Sequence, residues 1–332
     1  MKSTAVLGAG SWGTALAVHL ATAGHHVRLW ARDPAFVEEL RASRANHRYL
    51  PGIPMPDGIA PTASLEEALA GARFVVVAVP SHGFRAVVRH AAPFLNDAVL
   101  VSATKGIEVD SLQRMSQVIE GETAGACRTV VLSGPSFALE TARGLPTALL
   151  AASTDAVAAG AVQEHFRGQG LRLYVNDDVA GVEIGAAFKN VIAIAAGVTE
   201  GLGLGHNALA ALITRGLAEM SRLAFAEGGR RDTLAGLSGL GDLVLTCTGE
   251  LSRNRQVGIA LGRGRSLDEI LSSMRMVAEG VRTTRAALAL GAQHGIELPI
   301  AAKMQAVLDG QCAPRDAVEA LMLRRQRAEV DG

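Results

Sequence analysis

The chain has 332 residues, 49% of them hydrophobic, enough to bury two cores of ordinary domain size. Lys plus Arg and Asp plus Glu number 32 each, so no global charge excess points to nucleic acid or to an anionic membrane surface. The three cysteines, Cys127, Cys247 and Cys312, lie far apart, form neither a C-x-x-C pair nor a metal-ligand cluster, and read as reduced packing residues.

Met1 and Lys2 run straight into the strand-like "STAVLGAG", which is not a signal peptide, and no later apolar run is long and uninterrupted enough to cross a bilayer. A cytoplasmic location is expected. From residue 3 to about 176, β-rich runs ("TAVLG", "HVRLWA", "FVVVAVP", "AVLVSAT", "TVVLSG", "TALLAAS", "LRLYV") alternate with helical patterns such as "WGTALAVHLATAG". The alternation predicts an α/β, Rossmann-type doubly wound domain with a largely parallel sheet over residues 1–177. After "LRLYVNDD" the strand runs stop, and residues 178–332 read as an all-α domain cut by glycine-rich turns such as "GLGLGH" and "GLSGLGD".

In "VLGAGSWGTALA", Gly8, Gly10 and Gly13 form G-x-G-x-x-G after the first strand and at the head of a helix. There bare backbone can approach a pyrophosphate and helix N–H groups can bind it. The same glycines would serve a turn that holds no ligand, but their place in a βαβ unit closing on "HVRLWARD" favours a dinucleotide. Ser11 and Trp12, inside the loop, would face its diphosphate or ribose. Arg32 and Asp33 follow the second strand, where an acid usually meets the adenosine ribose of NAD. An arginine there can take a 2′-phosphate; alternatively Arg32 is solvated and Asp33 binds the ribose. The expected cofactor is NAD(P), with Arg32 favouring NADP. "LPGIPMPDGIAPTAS", residues 50–64, reads as a Pro/Gly-rich loop able to lie over a cofactor. "VVVAVPSHGFR" ends a strand at Pro80, as a plain turn or as the floor of the dinucleotide site.

Lys105 in "SATKGIE" and the small-residue turn Gly134, Pro135 and Ser136 in "LSGPSFALE" both follow strands, at the carboxyl edge where doubly wound folds bind ligands. In the helical half, "EIGAAFKNVIAIAAGV" is apolar on almost every side except for Lys189 and Asn190. An ammonium there must snorkel to a surface, pair with a carboxylate, or line a cavity where its proton is used. Asp242 in "GLSGLGDLVLTCTG" either caps a helix or joins a site, with Thr246 four residues on and so on the same helical face. "LSRNR" sets Ser252, Arg253 and Asn254 at a helix start, a grouping suited to a phosphate dianion or to a solvated basic turn.

Taken together, "GAGSWGTALA", "SATKGIE", "LSGPSFALE", "FKNVIAIAAGVTEGL", "NALAALITRGLAEM", "GLSGLGDLVLTCTGELSRNR" and "MVAEGV" closely resemble the bacterial, cytosolic, NAD(P)-dependent glycerol-3-phosphate dehydrogenase family, in order through almost the whole chain. The resemblance implies reversible hydride transfer between C2 of sn-glycerol 3-phosphate and C4 of the nicotinamide, giving dihydroxyacetone phosphate on oxidation and supplying phospholipid synthesis. It makes Lys189 the catalytic lysine, followed by Asn190. Lys105, Asp242, Gly134 and Ser136 fall to the substrate site, and Ser252, Arg253 and Asn254 to the substrate phosphate. Ser11, Trp12, Arg32, Ala138, Val277 and Glu279, with Tyr49, match cofactor contacts. Two alternatives are a β-hydroxyacid dehydrogenase of the same layout, with no evident need for "SRNR", and a non-catalytic NADP(H)-binding module, with no need for Lys189 and Asp242. The partner in either enzyme reading is a small molecule, and a homodimer is allowed.

A lysine's ordinary pKa of ~10.4 is too high for proton transfer near neutrality. Burial and a second ammonium, Lys105, would lower that of Lys189, while Asp242 would oppose the shift and orient it.

Overall fold

Continuous runs of buried Val, Ile, Leu and Ala mark strands covered on both faces, as parallel sheets require. The computed structural model describes residues 3–95, 97–274 and 278–325. Its first part runs β1 Ser3–Leu7, α1 Ser11–Thr22, β2 His26–Trp30, α2 Pro34–Ser43, β3 Ile59–Thr62, α3 Leu65–Leu69, β4 Ala72–Val77 and α4 Ser81–Ala91. It continues with β5 Val99–Ser102, α5 Met115–Thr123, β6 Arg128–Ser133, α6 Ala138–Ala142, β7 Thr147–Ala152, α7 Ala156–His165 and β8 Leu171–Asn176.

The eight strands form one sheet in the order β3-β2-β1-β4-β5-β6-β7-β8. All neighbours pair parallel except β6 and β7, so β7 and β8 run against the other six. The expectation of a doubly wound sheet holds, with three local differences. The stretch 50–64 is not all loop: Ile59–Thr62 is the edge strand β3, paired with β2, and its one proline, Pro61, is tolerated because one side of an edge strand needs no partner. The fourth strand ends at Val77 rather than Pro80, which instead precedes α4 as its N-cap. The reversal at β7 carries no signature in the hydrophobic pattern.

One face of the sheet packs Val6, Leu29, Val76, Val101 and Leu132 under α1, α2 and α7, through Leu16, Phe36 and Val162. On the other face, Leu7, Val77 and Leu100 meet Phe84 and Val88 of α4 and Met115 and Ile119 of α5.

The second part is helical: α8 Val179–Gly201, α9 Gly205–Ala226, α10 Arg231–Ala235, a π-helical turn Leu237–Gly241, α11 Asp242–Thr248 and α12 Arg253–Gly262. There follow α13 Leu267–Ser273, α14 Glu279–Gln293, α15 Pro299–Leu308 and α16 Pro314–Met322. Every residue of α8 from Gly181 to Thr199 is buried. Among the described residues it is the helix long and apolar enough to cross a membrane, yet 89% of its apolar window lies inside the molecule as the hub of the helical core. Its first turns also belong to the sheet, since Val182 packs on Val131, Leu150 and Ala152.

Candidate active site

The glycine loop joins β1 to α1 at the point where strand order turns from β1 to β4, the crevice that doubly wound sheets offer to ligands. Gly8 has φ +116°, and a Cβ there would lie 2.6 Å from the Ala78 carbonyl oxygen at the end of β4. A Cβ on Gly13 would lie 1.8 Å from the Gly8 oxygen, whereas one on Gly10 would meet nothing within 4 Å. The loop is thus packed tightly beneath and open above. Gly10 is the N-cap of α1 and supplies no side-chain acceptor to the first-turn N–H groups. The buried Trp12 indole N–H has no partner among the described residues. A bare loop, an uncapped helix start and an unmet donor fit a dinucleotide diphosphate.

The surroundings brace the loop. Asn46, which sequence reasoning passed over, donates to the Ala9 oxygen at 2.9 Å and to Thr14 Oγ1 at 2.8 Å, and accepts the Tyr49 N–H at 3.0 Å. Ser11 Oγ donates to the Tyr49 carbonyl at 2.6 Å, and the Tyr49 ring lies edge-on to Phe36. Tyr49, Trp12 and Ala138, the first residue of α6, pack on the same core cluster. Arg32 is exposed just after β2. Asp33 caps α2 by accepting the Ala35 N–H at 3.0 Å, which disfavours the alternative in which its carboxylate reads the ribose. Arg48, also missed, lies 3.7 Å from Asp33 and pairs with Glu39 on that rim.

At the carboxyl edge the two parts of the chain meet on one carboxylate. Lys189, in the middle of α8, donates to Asp242 Oδ1 at 2.8 Å and to Thr246 Oγ1 at 2.7 Å. Lys105, three residues beyond β5, donates to Asp242 Oδ2 at 2.7 Å, to the Gly134 carbonyl at 2.8 Å and to Ser136 Oγ at 3.4 Å. Gly134 can make that turn because its φ is +135°. The π-helical turn delivers Asp242 to the first position of α11, where it binds two ammoniums instead of capping the helix. The side chains of Asp242, Lys189 and Lys105 are 1%, 8% and 17% exposed, so the cluster is a nearly buried group of two cations and one anion. Such an excess attracts an anion.

Burial draws the Lys189 pKa down to about 8, helped by Lys105 and opposed by Asp242. Cys247 lies behind the cluster, and burial pushes its thiol up to about 12, so it remains an uncharged packing group. Snorkelling is ruled out for Lys189, whose ammonium ends inside the protein on two partners.

The phosphate candidates sit at the start of α12. Ser252 is its N-cap, accepting the Arg255 N–H at 3.3 Å. Arg253 is half-buried, and its partial loss of solvent lowers its pKa against the pull of Glu279. Asn254 does something the sequence did not suggest: its Nδ2 donates to Asn190 Oδ1 at 2.9 Å, and its Oδ1 accepts the Gly280 N–H at 2.9 Å. The asparagine pair therefore ties α12 to α8 and α14. Glu279 opens α14 and accepts from Ser81 N at 3.0 Å and Ser81 Oγ at 2.6 Å. Val277 lies outside the described residues.

The structure thus gathers Lys105, Gly134, Ser136, Lys189, Asp242 and Thr246 into one cluster, chains Asn190, Asn254 and Glu279 beside it, and leaves Arg32 on the far rim of the crevice. A family model described as NAD-dependent glycerol-3-phosphate dehydrogenase N-terminus matches residues 3–159, and the corresponding C-terminus model matches 178–319. A glycerol-3-phosphate dehydrogenase (NAD(P)+) of Thioalkalivibrio sulfidiphilus is 53% identical over 326 residues, covering 98% of each chain. One of Geobacter metallireducens is 54% identical over 327 residues, again covering 98% of each. The crystal structure of glycerol-3-phosphate dehydrogenase from Coxiella burnetii superposes with a TM-score of 0.94 at 41% identity, over 97% of this chain and 99% of that one.

Proposed function

Because the chain belongs to the NAD-dependent glycerol-3-phosphate dehydrogenase family, we propose that Lys189, Lys105 and Asp242 form the reaction centre of an NAD(P)-dependent sn-glycerol-3-phosphate dehydrogenase. The chain is an oxidoreductase that interconverts glycerol 3-phosphate and dihydroxyacetone phosphate. One observation carries the assignment of the centre: a lysine buried in an apolar helix shares a carboxylate with a second lysine at the carboxyl edge of the sheet.

The residues Gly8, Gly10, Ser11, Trp12, Gly13, Arg32 and Ala138 would hold the dinucleotide, whose nicotinamide exchanges a hydride with C2 when bound. Lys189 handles the proton at the C2 oxygen. In reduction its ammonium donates to the carbonyl oxygen as that oxygen gains charge; in oxidation its neutral amine takes the hydroxyl proton. Asp242 and Thr246 fix the direction of Lys189 Nζ, and Lys105 supplies a second donor beside the Gly134–Ser136 turn. Arg253 at the head of α12 binds the substrate phosphate, so remote binding energy positions C2. The division of labour falls between residues 177 and 178. The product serves phospholipid assembly in the cytoplasm.

Reduction of dihydroxyacetone phosphate with NADPH and NADH in parallel tests the reaction. Lys189→Met tests the centre: kcat should fall about a hundredfold or more with NADPH affinity nearly unchanged. Near-normal turnover in that variant would remove Lys189 from the chemistry.

A further inference from the structure

Ser81 enters none of the roles above, yet it ties the turn after β4 to the helical part of the chain. It is the first residue of α4, four positions beyond the end of β4, and 3% exposed. Its backbone N–H and its hydroxyl bind the two different oxygens of Glu279, at 3.0 and 2.6 Å, across 198 residues of sequence. Gly106 packs against the contact, since a Cβ there would lie 2.7 Å from Ser81 Cβ and 3.5 Å from Glu279 Oε2. The carboxylate is held in a fork, and a carboxylate so held still has two lone-pair directions for another donor.

The contact continues inward. Glu279 precedes Gly280, whose N–H binds Asn254 Oδ1; Asn254 Nδ2 binds Asn190 Oδ1; and Asn190 adjoins Lys189 in α8. One hydrogen-bonded chain therefore runs from the turn after β4, through the first turn of α14 and the head of α12, to the helix that carries the reacting lysine. Each of its side-chain members is buried or nearly so, which leaves each link few alternative partners.

Resting on the dehydrogenase reading above, we propose that Ser81 is a positioning residue that fixes the first turn of α14 over the crevice, so that cofactor binding and the geometry of the phosphate-binding helix α12 depend on one another. The dependence is reciprocal: whatever the ordered turn gives to the dinucleotide it also gives to the phosphorylated substrate. Ser81 itself touches neither.

The test uses the full chain with Ser81→Ala, which keeps the N–H bond to Glu279 and removes the hydroxyl. Binding of NADPH is measured by fluorescence titration without substrate, and binding of glycerol 3-phosphate by calorimetry with and without saturating NADPH, a pair that cannot react. In the wild type we expect NADPH to tighten glycerol 3-phosphate binding, by about fivefold or more, the usual span of such couplings. Ser81→Ala should weaken NADPH binding several-fold and bring that enhancement close to one, while the pH at which kcat breaks stays where Lys189 puts it. Unaltered NADPH affinity and an unaltered enhancement in Ser81→Ala would overturn the proposal, as would a wild type with no enhancement. Should Ser81→Ala fail to fold, Ser81→Cys carries the same test, because a thiol fills the site but donates weakly. It should show a smaller loss in the same two quantities, and equality with wild type would overturn the proposal. A wild type that binds both ligands but does not oxidise glycerol 3-phosphate with NADP or NAD would instead refute the dehydrogenase reading.

Discussion

The ionisation of Lys189 is set by burial, Lys105 and Asp242, which pull in different directions, and the balance makes a test. With the pKa near 8, reduction needs the ammonium and should lose kcat/KM as pH rises through that value. Oxidation needs the free amine and should gain over the same range. Asp242 holds the proton on, so Asp242→Asn should move the break to lower pH by about one unit, in addition to slowing the reaction. Pre-steady-state pH profiles in both directions read this, and an unmoved break would show that the carboxylate orients Lys189 without tuning it. At the far rim, Asp33 is engaged as a helix cap and Arg32 is exposed beside it. Arg32→Ala should lower kcat/KM for NADPH about tenfold, or ~1.4 kcal/mol, and change NADH much less. Equal losses would mean that the guanidinium does not read the 2′-phosphate. Individual residues were the most legible scale in the sequence: a charge inside an apolar helix can end in few ways. What stayed hidden were partners that no motif names, such as Asn46 under the glycine loop and Ser81 on Glu279.

Among the elements, α8 and α12 approach so closely that glycine decides the distance. Gly197 and Gly201 of α8 face Gly258 and Gly262 of α12; a Cβ on Gly258 would lie 2.0 Å from the Ile194 oxygen, and one on Gly197 the same distance from the Arg255 oxygen. Backbone stands against backbone there, so no rotamer change can relieve an added methyl. Gly258→Ala should therefore push α12 outward, lowering stability by roughly 1–3 kcal/mol or more. It should also raise KM for glycerol 3-phosphate, since Arg253 and Asn254 ride on that helix. Thermal melts and steady-state kinetics together check it; a lower melting temperature with an unchanged KM would separate packing from the phosphate site. The sequence shows these glycines four apart but not which helix they face. Pairing between segments is a tertiary property, and the strand β3 escaped the pattern for the same reason: its edge position excuses Pro61, which otherwise reads as loop.

At the scale of the molecule, the sheet and the helical part are joined by a buried ionic contact. Glu183 of α8 accepts from Ser116 N at 2.8 Å, Ser116 Oγ at 2.5 Å and Arg114 at 2.9 Å, all at the start of α5. Removing Glu183 leaves the Arg114 charge with only the longer contact to Glu227, 3.9 Å away, so Glu183→Ala should cost about 3 kcal/mol. Calorimetry should show a lower and broader transition as the two parts begin to melt separately; a single unshifted transition would mean that apolar packing alone couples them. The sequence made both parts recognisable, because alternating and helical periodicities differ, but it gave no sign of how α8 belongs to both.

The antiparallel step at β7 has a consequence for that helix. The register sets the end of β8, Asn176, level with Ala152 and hence with Val131, below the edge where Lys105 and Gly134 lie. From there α8 climbs: Val182 rests on Val131, and Lys189 comes two turns later, a rise of about 10 Å that brings its ammonium to the level of Asp242. Had β7 followed β6 in parallel, the chain would have left the sheet at the upper edge, and a helix starting there would have carried the lysine away from the crevice. The stretch from 182 to 189 is therefore a ruler whose zero is set by strand direction. One residue inserted within it would turn the lysine by about 100° and lift it by about 1.5 Å, so this segment tolerates exchange of apolar side chains but not a change in their number.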